Sequence, residues 1–242
     1  MSALLRYQAA IGLRSHRWIF PLIAYGLLVA VGDEGSTPLA QGLDWSGAML
    51  VPVVALLTRS MLTAEPDAAW AVTCAAAGPV RTQLAALATA LGGGVVLALA
   101  GAGFEVLASQ SVARVPGPGT LAKVTALGAH LEVLEAGLAI AVVCLLVGSA
   151  AGALCNPPLL RHPGATLMST LAAVLLALVS GVSPAAAALK DTGTPGPSGT
   201  ASALPHWPGL VPFAGALCVL AVTWTASALI AARRDSRTPS AT

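Results

Sequence analysis

The sequence predicts an all-α polytopic membrane protein, a single transmembrane domain over 1–242 with six spans. Charged residues make up 9% of the chain and apolar residues 56%, with a mean hydropathy of +0.82. A soluble domain carries about a quarter charged residues, so an ordinary cytosolic enzyme is excluded. The charges that do occur are confined to narrow stretches between six apolar segments, and Lys and Arg are shared unequally between alternate connections. Long runs rich in Ala and Leu, without ten-residue alternation, disfavour an outer-membrane barrel.

At the start of the chain, Leu4, Tyr7 and Ile11 recur at i, i+3 and i+7 with Arg6 opposite, which predicts a short interfacial helix over 1–16. Leu5 and Leu13 blur its polar face, and a plain extension of the first span is the alternative. The spans follow from the need to satisfy every backbone N–H and C=O without water over roughly 20 apolar residues. They are expected at 17–32, 45–62, 82–104, 133–156, 165–187 and 208–232. The first two are short, and the second tolerates Arg59 because its long side chain reaches the headgroups. The first apolar run begins after Arg14-Ser-His-Arg17 and lacks a small-x-small cleavage site, so it is expected to stay as an anchor.

Between the second and third spans, Glu65-Pro66-Asp67 is followed by Ala68 to Ala77. Thr63 is expected to cap a helix over 64–78 whose first turn carries Pro66, with Glu65 and Asp67 near its positive end. Gly78-Pro79 stops it. Such a helix lies along the membrane surface, and Arg81 anchors the next span at the headgroups. It is either pushed by a soluble partner or a passive connector.

In the third span Gly92-Gly93-Gly94 makes the helix thin. The fourth holds Gly148-Ser-Ala-Ala-Gly152, a GxxxG that lets another helix backbone approach, within the chain or in self-association. Glu132 and Glu135, three apart, share a face at the outer end of the fourth span, with Glu105 at the end of the third. Ionisable groups at membrane depth are expensive and often functional, which makes these three candidate gate or substrate contacts. The opposing reading leaves them in the outer headgroup layer. Segments 109–127 and 191–208, rich in Gly, Pro, Ser and Thr, bury no core. Asn156-Pro157-Pro158 and Arg161-His162-Pro163 form a tight connection, and the basic tail at 233–242 suits a membrane surface rather than nucleic acid.

With the N-terminus inside, nine Lys and Arg residues fall on the cytoplasmic side, and Arg114, Lys123 and Lys190 fall outside. The asymmetry predicts cytoplasmic termini. Trp45 and Trp207 then begin spans at the outer interface and Trp18 at the inner one. Cys74, Cys144, Cys155 and Cys218 show no CxxC spacing and read as small apolar fillers. His16, His130, His162 and His206 are scattered and make a metal site improbable. No G-x-x-x-x-G-K-[ST], H-E-x-x-H or G-x-S-x-G occurs, so neither catalysis nor a cofactor is expected in this chain.

Six spans with both ends inside, an interfacial helix before the first, a helix carrying Glu65 between the second and third, and no nucleotide site resemble the permease subunit of an ABC-2 type exporter. Leu4-Leu-Arg-Tyr-Gln-Ala9, Glu65-Pro-Asp67 with Ala75-Ala-Ala-Gly-Pro79, and Val182-Ser-Pro184 are similar to permeases of high-GC actinobacteria. The resemblance spans the whole chain and rests on topology and segment order. It implies a multi-pass protein of the bacterial cell membrane in which 64–78 is the coupling helix, with Glu65, Pro66, Asp67, Trp70 and Arg81 meeting a separate ABC ATPase subunit. ATP and Mg2+ would be held by that partner. A second permease copy or homologue, membrane lipid, and a hydrophobic or amphipathic cargo are implied with it. The loop between spans three and four is longer than is common in that family. Two other readings compete: an ion- or proton-coupled secondary transporter using Glu132 and Glu135, and a membrane accessory or immunity protein without transport. A secondary transporter would be expected to show an internal repeat or matched broken helices, and neither is visible.

Overall fold

The computed structural model describes residues 2–32, 38–108, 120–155, 163–180, 183–193 and 209–235, and these are all-helical, with no strand among them. The helices are α1 (Ser2–Arg14), α2 (Ile19–Gly32), α3 (Leu39–Leu62), α4 (Asp67–Ala77), α5 (Pro79–Ala108), α6 (Thr120–Leu154), α7 (Pro163–Val179), α8 (Pro184–Gly193) and α9 (Leu210–Asp235). Most of the expected loops, the 156–162 link, Trp207 and the tail beyond Asp235 lie outside the described residues.

Four helices are long and apolar enough to cross a bilayer: α3, α5, the Leu131–Leu154 part of α6 and the Leu210–Arg233 part of α9. A fifth arises if α1 and α2, bent by 72°, count together. Two of the six expected spans do not form single long helices. At the first, the 17–32 segment yields only the 14-residue α2, about 21 Å long against a hydrocarbon core of about 30 Å. The 15–18 link breaks it from α1: His16 takes a positive φ of 55°, and Trp18 Nε1 folds back to donate to Leu13 O at 3.1 Å. At the second, the 165–187 segment is divided between α7 and α8, with 181–182 outside the described residues. Pro184, which has no N–H to give to a carbonyl four residues back, opens α8 instead of continuing α7, although Pro52 is accommodated within α3. Ser183 instead donates its N–H to Ser180 O at 3.0 Å.

The remaining boundaries shift for local reasons. Helix α3 starts before Trp45, whose indole N–H donates to Leu28 O at 2.9 Å and ties α3 to α2. At 35 residues α6 begins well before the expected 133. Roughly 52 Å of helix exceeds the hydrocarbon thickness, so its first three turns extend beyond the apolar part.

The centre of the bundle is the α3–α6 pair, the most extensive helix contact, with α5 packed on both. Of the apolar stretch of α6, 83% is buried, against 22% for α9; α6 is therefore a core helix and α9 a peripheral one. The largest fully buried side chains include Leu50, Val51, Val53 and Val54 of α3, Leu87 of α5, and Ile140 and Val143 of α6. On α2, Pro21, Tyr25 and Val29 recur every four residues and are buried, while Phe20, Ile23, Leu27 and Val31 are exposed on the opposite face. An apolar exposed face of this kind is the surface that lipid or another helix covers.

Small residues let α3 and α6 come close. A Cβ on Gly148 would lie 2.7 Å from Val51 O, and one on Gly152 2.7 Å from Ala55 O. One side of the α6 helix thus rests directly on the α3 backbone. Farther along, a Cβ on Gly137 would press on Leu43, and one on Gly47 would meet Ile140 and Ala141. Of the two readings of the GxxxG pattern, packing within the chain is the one that the structure shows. Gly148→Ala should therefore lower stability by about 1–3 kcal/mol through overpacking. Gly103, with nothing within 4 Å of its added Cβ, should accept Ala with a neutral or slightly favourable effect from helix propensity. Thermal unfolding in detergent compares the two, and equal melting temperatures would refute the tight seam.

Candidate functional site

The connection between α3 and α4 gathers polar side chains from three elements. Helix α3 ends where Thr63 donates its N–H to Arg59 O at 3.1 Å and its hydroxyl to the same oxygen at 3.0 Å. Thr63 is therefore the cap at the end of α3 and not, as expected, at the start of α4. Its own carbonyl accepts a 2.6 Å bond from an Arg17 guanidinium N–H, which fixes the α1–α2 link against the end of α3. Pro66, extended at φ −62° and ψ 148°, precedes α4 and contributes no side-chain cap. The helix closes on Gly78 at φ +86°, a conformation that favours glycine, and Pro79 opens α5 directly afterwards.

Glu65 is the centre of this site. One carboxylate oxygen, Oε2, accepts from Gln8 Nε2 at 2.9 Å; the other accepts from Tyr7 Oη at 3.2 Å and from Thr73 Oγ1 at 3.0 Å. The Thr73 hydroxyl also lies 3.1 Å from Ala69 O and 3.0 Å from Trp70 O. It has one proton, and the carboxylate is the strongest of the three acceptors. Gln8 is 4% exposed, so its amide depends on this partner. Partial desolvation, then the adjacent Glu65 charge and the hydrogen bond to it, hold the Tyr7 hydroxyl above its ordinary pKa. It therefore stays protonated, and a donor, throughout the neutral range. Gly12 completes the docking, since a Cβ there would run into Met61 Sδ of α3 at 2.6 Å.

The outward face of α4 is apolar. Ala68, Ala71, Val72, Ala75 and Ala76 are exposed, Val72 at 69%, while Cys74 is buried and Trp70 half-buried. The expected contact residues are therefore divided. Glu65 turns inward to α1 and Thr73, Pro66 is exposed at the helix start, and Arg81 is exposed in the first turn of α5. Asp67 begins α4. Tyr7, Gln8, Arg17, Thr73 and Val72 complete the site; Tyr7 was read only as part of an apolar stripe and Arg17 only as a flank of the first span, and the other three were not singled out from the sequence. Gln8, following Arg6 and Tyr7 on a helix that also carries Leu4, Leu5 and Ile11, was the available signal.

The acids near the other end of the bundle are separated by environment. Glu132 and Glu135 are both exposed, while the intervening Val133 and Leu134 pack against Leu39, Leu43 and Ala102. Glu105 is 3% exposed and lies where a Cβ on Gly42 of α3 would meet its carboxylate. One turn away, Gly101 makes room for the Tyr25 hydroxyl, which donates to Ser46 O at 3.4 Å. A buried polar group of α2, α3 and α5 results, with Glu105 in electrostatic reach of Tyr25. No group of three or more His, Cys, Asp or Glu arranged for a metal occurs among the described residues. The four cysteines are free, with Cys218 exposed and the others buried.

Compared with known proteins, the chain matches no family model, no curated protein and no solved structure.

Removing the Glu65 carboxylate should loosen α1. A hydrogen bond to a charged group is worth roughly 1.5–3 kcal/mol when buried, and partial exposure reduces this to about 1 kcal/mol for the Gln8–Glu65 pair. A double-mutant cycle of Gln8→Ala and Glu65→Ala should return a coupling of about that size, and hydrogen exchange should show α1 amides losing protection in Glu65→Ala. Additive single effects with unchanged protection would refute the clamp.

Proposed function

We propose that this chain is the membrane permease subunit of an ABC-2 type exporter, inserted in a bacterial cell membrane with both termini cytoplasmic. In this reading α1 is the interfacial helix, α4 is the coupling helix, and the short α2 and the divided α7–α8 complete six membrane passages. ATP hydrolysis takes place in a separate ABC ATPase subunit, two permeases form the pathway, and the cargo is hydrophobic or amphipathic. What supports it most directly is α4: an 11-residue helix between two long apolar helices, clamped at its start by Glu65, joined through Gly78 to α5, and exposing an apolar face. An exposed, braced helix of this kind is suited to receive a soluble subunit and to pass its movement to the spans. The docking face is then the Ala68, Ala71, Val72 and Ala75 surface, with Arg81 at its rim, and Glu65 acts behind it as a brace.

The buried Glu105 beside Tyr25 favours a second reading, proton-linked transport without an ATPase, since a carboxyl enclosed at membrane depth is a common proton carrier. Exposed Glu132 and Glu135 lend that reading no enclosed site.

Co-expression with an ABC ATPase encoded beside this chain distinguishes them. The ATPase should co-purify, and Val72→Glu should reduce co-purification about tenfold, as expected for a charge placed in an apolar contact, while membrane insertion stays intact. Retained association and coupled hydrolysis in Val72→Glu would reject α4 as the docking element. In vesicles, Glu105→Gln should leave ATP-driven transport responsive to nucleotide; abolished transport with a lost dependence on the proton gradient would instead favour the second reading.

A further inference from the structure

An apolar groove of about 530 Å³ runs between α1, the start of α2, and the facing sides of α3 and α5. Leu5, Ala9 and Leu13 line it from α1, Trp18 from the link to α2, Met61 from α3 and Gly92 from α5. Its volume falls in the range of roughly 300–1,000 Å³ typical of small-molecule sites. Leu5, Ala9 and Leu13 are spaced four apart and form one stripe of α1. One position on, Arg6, Ala10 and Arg14 form a parallel exposed stripe. No hydrogen bond or ion pair of the Arg6 or Arg14 side chain occurs among the described residues. Tyr7, Gln8 and Gly12 occupy the remaining side, against Glu65 and Met61. Helix α1 thus has three faces: one docked on the protein, one apolar and open to the groove, and one basic.

We infer that this groove holds one acyl chain of an anionic phospholipid from the adjoining leaflet, with its phosphate on Arg6 and Arg14. Bent by 72° from α2, α1 lies close to the bilayer plane when α2 crosses it, which sets the basic stripe at headgroup depth and the groove at the depth of the chains. Transfer of an acyl chain from the surrounding hydrocarbon to an apolar groove yields no hydrophobic gain, so selection falls to the headgroup. Guanidinium groups recognise phosphate by paired charged hydrogen bonds, and two of them beside the groove give an anionic lipid the advantage. A second copy of the chain fits less well. Packed about a two-fold axis here it would set the same arginines against each other, and Glu65, the acid beside α1, already accepts three donors. Lipid occupancy of the groove does not depend on which soluble partner meets α4.

The full chain, reconstituted in vesicles of phosphatidylglycerol and phosphatidylcholine and then released into mild detergent, is examined by native mass spectrometry. The parent should retain phosphatidylglycerol over phosphatidylcholine by about tenfold, the scale expected of two arginines at an anionic headgroup. Arg6→Gln with Arg14→Gln, both at exposed positions, should erase the preference. Gly92→Leu should lower retention of both lipids, because nothing lies within 4 Å of the added Cβ and the side chain enters the groove. Bromine-labelled phosphatidylglycerol should also quench parent fluorescence more than that of Trp18→Phe, which reports on the groove even if Gly92→Leu fails to fold. Equal retention of the two lipids by the parent, equal quenching in Trp18→Phe, or a folded Gly92→Leu that keeps its lipid would each overturn the inference. So would a Gly92→Leu that converts a dimer to a monomer with lipid unchanged, which would assign the groove to a second copy.

Discussion

The close approach of α3 and α6 is the constraint on which the rest of the bundle depends. In a membrane the hydrophobic effect does not drive helices together, so association relies on van der Waals contact and on backbones that can come near each other. Gly148 and Gly152 provide that nearness by resting on the carbonyls of Val51 and Ala55. Once the pair is formed, α3 presents its other sides to α2 and α5, and α6 becomes the most enclosed of the apolar helices. The buried Tyr25, Ser46 and Glu105 lie around α3 because this central helix is already fixed there.

The polar site at the end of α3 inherits its precision from the same helix. Thr63 terminates α3, Arg17 ties the α1–α2 link to that terminus, and Glu65 collects donors from α1 and α4. Sequence proximity explains only part of this. Gln8 and Glu65 are 57 residues apart and meet because α1 folds back over the end of α3, with Gly12 making the contact with Met61 close enough.

The membrane class, the helical fold and the four long spans could be read directly from the sequence, because length and apolarity alone decide whether a helix can cross hydrocarbon. So could the end of α4, where Gly78-Pro79 allows no other outcome. The divided fifth segment was less legible: its apolar run is continuous through Ser180 to Ser183, and only the backbone geometry at Pro184 tells that it breaks. Thr63 could serve as a cap for either helix, and its choice of α3 depends on a turn that charge and periodicity do not encode. The sequence left open whether Glu132 and Glu135 face inward, since a helix face points inward or outward according to its neighbours, and here Val133, Leu134 and Leu138 take the inward side. Glu105 was expected as a gate or substrate contact from its place at the end of the third span, but the sequence did not show what would enclose it. Gly42, by making room opposite it, sets its burial.

Helix α4 can be regarded as a short beam on two bearings of different kinds. At one end the bearing is a carboxylate hydrogen-bonded to α1 and to Thr73 of α4 itself, and at the other it is the single glycine joint to α5. A load applied near Val72 is shared between them. The hydrogen bonds of Glu65 can yield, but the backbone links to α3 and α5 cannot, so displacement beyond what Glu65 tolerates passes through Ala64 to Pro66 into α3 and through Gly78 into the 30-residue α5. The ratio of stiffness at the two ends, rather than the strength of the push, then sets which side of the bundle moves first.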